Sequence, residues 1–376
     1  MRVTFVLPGA GNLPVGGFKI VYEYANGLAR RGHTVCVVHP ALLQRHSSLR
    51  GRGRALARYV LRRLSSSYHP RSWFHLDPRV RTSWVPSLHP RYLPDADAVV
   101  ASAWQTAEWV CEYPQQKGER FYLIQHLETW SGAEDRVMAT WGLPLRKIVI
   151  ARWLQELATS MGEHAEYIPN GLDFQAFGID IAPAARKPAT GLMLYHEAEW
   201  KGSSDGLTAL VRVKQRLPAL EVALFGVPFA PSDLPAWIRY HRQPTQELLR
   251  ALYNQSAVFV APSRVEGWGL TASEALMCGC ALAATDAGGH REFAFHEETA
   301  LVSPAGQPGA LADNIERLIR DDDLRIRLAL TGHHSIGRFT WERALAAFEH
   351  VLLSQQPAPG VTSPAAPGSD QPGCGA

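Results

Sequence analysis

Long apolar runs are missing. No stretch of the 376 residues approaches the ~20 consecutive apolar residues that a helical membrane span needs. Met1 to Pro8 carries one Arg and a short apolar run, without the longer hydrophobic region and small-residue cleavage site of an export signal. It reads as a first strand. Cysteine is scarce and odd in number: five residues, at 36, 111, 278, 280 and 374. That argues against a disulfide framework and makes a reducing cytoplasm the expected setting. Cys278 and Cys280 stand closer than the usual zinc C-x2-C spacing and have no second pair, so they read as buried small hydrophobes and no metal site is expected. A G-x-G-x-x-G fingerprint does not occur around Val15-Gly16-Gly17, which argues against a dinucleotide cofactor.

Acids are nearly absent from one region. Residues 41 to 91 hold eleven Arg, no Lys and a single acid, Asp77, for a local charge of +10; the remainder sums to −7. A basic patch on an otherwise mildly acidic chain does not describe a general nucleic-acid binder. It suits one face that meets anionic lipid, phosphate or an acidic ligand. Within this region Leu56, Val60 and Leu64 recur at i, i+4 and i+8, with Arg at 50, 52, 54, 58, 62 and 63. Arg50–Leu64 is therefore a basic amphipathic helix: a peripheral membrane contact, an insert packed on its own domain with a solvated basic face, or a face for an anionic acceptor.

What is present supports a folded α/β protein. Hydrophobic residues make up 46% and charged residues 19%, enough to build a core, and the length points to two or three domains at ~100–200 residues each. Arg2–Leu7 reads as a buried strand, Pro8–Gly17 as a glycine- and proline-rich loop, the stretch to Gly32 as a helix and Thr34–Val38 as a strand. The alternation resumes with strands at Ala98–Ala101, Phe121–Gln125, Lys147–Ala151 and Glu166–Ile168, and helices at Trp104–Glu112 and Trp153–Met161. A second set has strands at Leu192–Tyr195, Glu221–Phe225, Val258–Ala261 and Ala281–Ala284. Its helices are Ser204–Arg216, Gln246–Asn254, Thr271–Cys278, Gly309–Arg320, Leu324–Gly332 and Trp341–Ser354. The expected layout is a first Rossmann-like domain over 1–175, a linker over 176–190, a second Rossmann-like domain over 191–340, a closing helix over 341–354 and a disordered Pro/Gly/Ala tail over 355–376. Two doubly wound domains place ligands at the carboxyl ends of their strands, in the cleft between them.

The sharpest segment is Ala261 to Gly279. A strand ends, a glycine-rich turn follows, and a helix begins near Leu270, after Gly269. Free amides and the positive end of the helix dipole make a seat for a diphosphate there. Two carboxylates flank it. Glu274 also fits a capping box with Thr271, a purely structural role. Glu266 has no evident structural task. Gly16 and Gly17 precede the first helix and fit either a phosphate loop or an ordinary turn. His126 ends the strand Phe121–Gln125, and Lys201-Gly202 follows the first strand of the second half. The alternatives for these two are a structural histidine and a solvated lysine.

These residues together resemble family 4 retaining glycosyltransferases of the GT-B fold, whose signature has Pro-Ser, Glu-Gly-x-Gly-Leu, Glu-Ala and Cys-Gly in this order, with seven residues between the two Glu. The resemblance spans roughly residues 1–355 and is strongest from 191 to 292. It implies that Glu266 contacts the donor sugar, that Glu274 holds the nucleotide ribose and that His126 touches the sugar. It also implies that Lys201 binds the diphosphate and that Gly16-Gly17 lies near diphosphate and acceptor. Where the family commonly has Arg separated by four residues from Lys-Gly, this chain has His196, which is either a weaker diphosphate ligand or a packing residue. Asn170-Gly171 resembles the family's hinge turn and Gly288-Gly289-His290-Arg291-Glu292 a turn that supports the site. The implied activity is retaining transfer from a GDP-, UDP- or dTDP-linked sugar to a metabolite, glycan or lipid acceptor. No cofactor or metal is implied, and the enzyme works in the cytoplasm, at most peripheral to the inner membrane face. The rivals are a sugar-nucleotide epimerase of the same fold, an inactive sugar-nucleotide-binding subunit and an NAD-dependent dehydrogenase.

Overall fold

The computed structural model describes residues 1–44 and 49–354; the tail expected over 355–376 lies outside the described residues. Thirteen strands are described, β1 (Arg2–Val6), β2 (Thr34–Leu42), β3 (Arg81–Ser87), β4 (Ala98–Ala101), β5 (Glu119–Ile124), β6 (Arg146–Val149), β7 (Ala165–Tyr167), β8 (Thr190–Leu194), β9 (Glu221–Gly226), β10 (Ile238–Arg242), β11 (Val258–Ala261), β12 (Ala281–Thr285) and β13 (Leu301–Ser303). The helices are α1 (Gly16–Arg30), α2 (Leu49–Ser65), α3 (Trp104–Val110), α4 (Glu134–Ala139), α5 (Arg152–Ser160), α6 (Ser203–Arg216), α7 (Gln246–Gln255), α8 (Leu270–Met277), α9 (Pro308–Arg320), α10 (Asp322–Ile336) and α11 (Trp341–Leu353).

The strands form two all-parallel sheets. The first has the order β3-β2-β1-β4-β5-β6-β7 and the second β10-β9-β8-β11-β12-β13. Central strands read as continuous apolar runs because helices cover both faces. Every residue of β4 and of β12 is buried. Strand order reverses between β1 and β4 in one sheet and between β8 and β11 in the other. Loops diverge at such a switch point and leave a crevice at the carboxyl edge. The fold is the expected pair of doubly wound layers.

Three strands escape the periodicity, and all three are edge strands: β3, β10 and β13. An edge strand needs less apolar surface, and β3 (RTSWVPS) and β10 (IRYHR) are largely polar. Strand β2 runs on through buried His39 and Pro40 to Leu42 because it pairs β3 over that length.

The last helix ties the end of the chain to its beginning. α11 lays Leu345 and Phe348 against α1, with the Phe348 ring 4.2 Å from that of Tyr24 and 6.0 Å from that of Phe5. A Cβ at Gly27 would meet the Leu345 side chain at 2.3 Å, so glycine is what lets the two helices touch. Arg31 donates to Glu349 at 2.6 Å beside this contact. Arg186, in the stretch leading to β8, is buried with no carboxylate partner among the described residues. Its guanidinium donates to the carbonyls of Ile181, Tyr253, Ser256 and Cys278. Cys278 and Cys280 are buried thiols beneath it, each pushed up to about 12 by burial.

Phe348 is fully buried. Truncation to Ala removes ring contacts from both Tyr24 and Phe5, and should cost about 3–5 kcal/mol. Urea unfolding of Phe348→Ala checks this; a change below 1 kcal/mol would mean that α11 is not part of the core.

Candidate functional site

The candidate residues lie on the segments that follow the carboxyl ends of strands. Gly16 and Gly17 follow β1, His126 follows β5, Lys201 follows β8, Glu266 follows β11 and His290 follows β12. Lys201 and Glu266 flank the switch point of the second sheet, and the glycine pair lies beside that of the first.

Glu266 is 8% exposed. One of its oxygens accepts from Lys201 Nζ at 2.7 Å and from Ser263 Oγ at 2.8 Å. Burial, the largest single influence, would raise the carboxyl, but Lys201, His290 and the Ser263 hydroxyl together outweigh it and hold Glu266 below the ordinary carboxylate value. Lys201 is aimed by its neighbour. Gly202 adopts φ +62°, and a Cβ there would lie 2.0 Å from the Pro262 carbonyl, so only glycine lets the β8 and β11 loops meet. His196 does not supply a second cation. Its Nδ1 accepts from the Ala198 amide at 3.0 Å, and burial together with Lys201 lowers its pKa, so the ring is neutral with its proton on Nε2.

α8 begins at Leu270 with Gly269 as its cap, at φ +99°. A Cβ on Gly269 would sit 2.7 Å from the His290 ring, and His290 Nδ1 donates to the Thr285 carbonyl at 2.9 Å. The imidazole is thus clamped beneath the helix tip. The capping box is not formed. Thr271 lies inside the helix, and Glu274 instead accepts from Lys19 Nζ at 3.2 Å and from Tyr253 Oη at 3.1 Å. Lys19 belongs to α1, on the other side of the cleft. At the same seam a Cβ on Gly16 would touch Leu270 Cδ1 at 3.3 Å. The amino ends of α1 and α8 therefore meet across the cleft, and their dipoles add at one point. Gly17 accepts from Gln125 Nε2 at 3.1 Å, and Gly267 lies against the Gln125 carbonyl so closely that a Cβ would be 2.0 Å away.

His126 lies among three tryptophans. Its ring packs edge-on to Trp130 at 4.3 Å and to Trp153 at 5.9 Å, and Trp130 stacks on Trp200 at 4.7 Å from the opposite half. Neither ring nitrogen has a hydrogen-bond partner. Burial lowers its pKa to about 4, with Glu266 and Lys201 acting in opposite senses. Nearby Glu128 accepts from the Trp104 amide at 2.9 Å, and burial raises it to about 7.

Comparison with known proteins agrees with this geometry. Residues 234–333 match the family described as "Glycosyl transferases group 1". That match spans 100 of the 376 residues and lies within the second half of the chain. The phosphatidyl-myo-inositol mannosyltransferase of Mycobacterium tuberculosis (strain H37Rv) is 28% identical over 205 residues, half of this chain and 53% of that protein. The D-inositol 3-phosphate glycosyltransferase of Streptomyces bingchenggensis is 34% identical over 114 residues, 30% of this chain and 25% of that one. The chain spans about half the length of the first of these curated relatives, and less of the second. Sucrose-phosphate synthase from Thermosynechococcus elongatus superposes with a TM-score of 0.72 at 18% identity, covering 93% of this chain and 98% of that one. Anabaena HepE, solved with UDP and glucose, gives 0.71 at 15% identity over 94% and 99%. The fold is GT-B.

Across the cleft between the two halves the structure brings together Gly16, Gly17, His126, Lys201, Glu266, Gly269, Leu270 and Glu274. His196 lies at the edge of the group, next to Lys201. Sequence reasoning missed Lys19, Trp130, Trp153 and Trp200. Lys19 carried a signal, since it lies one helical turn into α1 from the glycine pair. The tryptophans carried none, because their meeting depends on how the two halves face each other.

His126 and His39, also lowered to about 4, are neutral when folded and near 6.5 when unfolded. Protonation then favours the unfolded chain, so their contribution is present above about pH 6.5 and is lost as the pH falls toward 4. His126→Phe should flatten part of that slope in melting temperature between pH 6.5 and 4.5. An unchanged slope would place His126 in contact with water.

Proposed function

We propose that the protein is a retaining glycosyltransferase of family 4 type, transferring a sugar from a nucleotide diphosphate donor to an acceptor hydroxyl. The observation that carries the reading is the meeting of the α1 and α8 amino ends beside the Lys201–Glu266 pair. A diphosphate laid there accepts helix amides and faces Lys201, while its sugar lies toward Glu266 and His126.

The chemistry follows from the charges. The bond between the anomeric carbon and the β-phosphate oxygen breaks, and negative charge builds on the diphosphate. Lys201 and the amides near Gly269 and Leu270 stabilise that charge. Positive charge grows on the ring carbon, and the Glu266 carboxylate offsets it. The acceptor oxygen attacks from the face that the diphosphate leaves, and its proton passes to the departing phosphate oxygen. Configuration at the anomeric carbon is thereby retained. This charge balance needs no metal from the protein. Glu274, released from Lys19, accepts from the nucleotide ribose. His126 donates or accepts through its unpartnered nitrogens at a sugar hydroxyl. Closure over Trp130 and Trp200 keeps water from the donor.

The acceptor is a metabolite or a glycan or lipid of the cell envelope; the two curated relatives are named for inositol-containing acceptors. A membrane acceptor is favoured by α2. This helix buries Ala55 and leaves Leu56, Val60, Leu61 and Leu64 between 47% and 81% exposed, among exposed Arg50, Arg54, Arg58 and Arg63. Apolar side chains held out among arginines match an anionic bilayer surface, met from the cytoplasmic side. No helix among the described residues is long and apolar enough to cross a membrane.

One of GDP, UDP and dTDP should raise the melting temperature, since a ligand of the folded state alone stabilises it. Glu266→Gln should keep that shift and lose transfer roughly a hundredfold. Transfer at the wild-type rate would remove Glu266 from the mechanism. For α2, removing two arginines worth about 1 kcal/mol each should lower partitioning onto phosphatidylglycerol vesicles roughly 30-fold. Co-sedimentation of Arg58→Gln/Arg63→Gln checks this; equal partitioning would leave α2 as a surface helix.

A further inference from the structure

A second cavity lies behind the candidate site, on the seam between the two halves. Its volume is about 560 Å3, within the usual range for small-molecule sites. Arg152 and Tyr167 line it from the first half, Arg291, Glu292 and Phe295 from the second, and Arg338 and Arg343 from the chain that returns into α11. Four guanidiniums thus face one space.

Their partners are informative. Arg291 is paired with Asp286 at 2.6 Å. Arg152, Arg338 and Arg343 have no carboxylate within ion-pair distance among the described residues. Arg152 donates to the Gln155 amide oxygen and lies 4.0 Å over the Tyr167 ring. Arg338 donates to the Glu292 carbonyl, and Arg343 to the Arg338 carbonyl. The one buried carboxylate on the wall is already committed, because Glu292 accepts from the Arg152 amide and from Tyr167 Oη, both at 2.5 Å.

Two of the unpaired arginines also stand where helices disfavour cations. Arg152 is the first residue of α5 and Arg343 the third of α11. The positive end of each helix dipole lies there, so neither position suits an arginine for stability. A bound anion would relieve both the crowding of guanidiniums and the conflict with the dipoles. Arginine forks suit phosphate oxygens in particular, and Phe295, 38% exposed, offers an apolar surface beside them.

We propose that this cavity is a second anion site, for a small soluble molecule carrying more than one phosphate group and held by Arg152, Arg338 and Arg343 across the seam. It stands apart from the seat between α1 and α8 but is joined to it. Trp153, next to Arg152, donates to the Gly267 carbonyl at 3.3 Å, and Gly289, three residues before Glu292, donates to the Glu266 carbonyl at 2.9 Å. An occupant bridging both halves favours the arrangement in which they touch, and so favours the closed cleft.

Titration calorimetry of the full chain with inorganic triphosphate tests the site without reference to any transfer activity. Binding should persist in Lys201→Ala, which removes from the other seat the cation beside Glu266. It should weaken at least tenfold in Arg343→Gln, and further in Arg338→Gln/Arg343→Gln. Arg343→Gln alone changes an exposed side chain, and a melting temperature within a degree or two of wild type shows that it folds. Triphosphate binding that is absent from the wild type, lost in Lys201→Ala, or unchanged in both arginine variants overturns the proposal. A failure of the glycosyltransferase reading would show elsewhere, as no response to any nucleotide diphosphate.

Discussion

A carboxylate that is 8% exposed in the floor of a cleft stays ionised only beside a fixed cation, and Lys201 is that cation for Glu266. Much of the site is arranged to make this pair possible. Gly202 lets the β8 and β11 loops come together, Ser263 takes part of the remaining charge, and Gly267 lets the turn lie against Gln125 of the opposite half. Without a ligand the two charges satisfy each other. On the proposed reading a diphosphate sugar would offer each of them a partner of its own, anionic for Lys201 and electron-poor for Glu266. The resting ion pair is therefore the same machinery, held ready at no cost of an unpaired buried charge.

The two halves are kept in register by contacts of different strength. α11 packs its apolar face on α1, so the end of the chain is part of the first half's core. At the cleft the ties are mostly polar: Lys19 to Glu274 and Trp153 to the Gly267 carbonyl, with the half-exposed Trp130 stacked on Trp200 at the edge. Polar contacts across a seam exchange readily with ligand or water, whereas a buried aromatic contact does not. The molecule is firm at its strap and yielding at its mouth, as a cleft that admits and encloses a substrate requires.

Most of the fold could be read from the sequence because central parallel strands are continuous apolar runs with glycine turns after them. Ala98–Ala101 and Val258–Ala261 were located to the residue. The edge strands β3, β10 and β13 could not, since an edge needs no such run. In the site, residues fixed by local backbone geometry were legible: Glu266 in its turn, Gly269 at the helix cap, Lys201 before a left-handed glycine. The role of Glu274 was not decided by its own helix. The capping box with Thr271 is a sound local pattern, and it lost because Gly269, one residue before the helix, already serves as the cap. Lys19 and the three tryptophans belong to the site only through the meeting of two halves more than a hundred residues apart in places, and no local pattern records that.

His196 tests this account of the charges. A cation at that position would share the diphosphate with Lys201. Instead the Ala198 amide fixes the ring as a neutral imidazole with its proton on Nε2, and burial and Lys201 both disfavour a second proton. Arg264, two residues before Glu266, is committed to Asp205 and Glu199. On the proposed reading, Lys201, joined by Lys19 once Glu274 releases it, would face a leaving group of two or more negative charges, and much of the stabilisation would come from dipoles. That is the physical weight behind the glycines at 16, 17 and 269. A side chain at Gly16 would press on Leu270 and one at Gly269 on His290, and either would crowd the helix ends whose amides the proposed diphosphate would use.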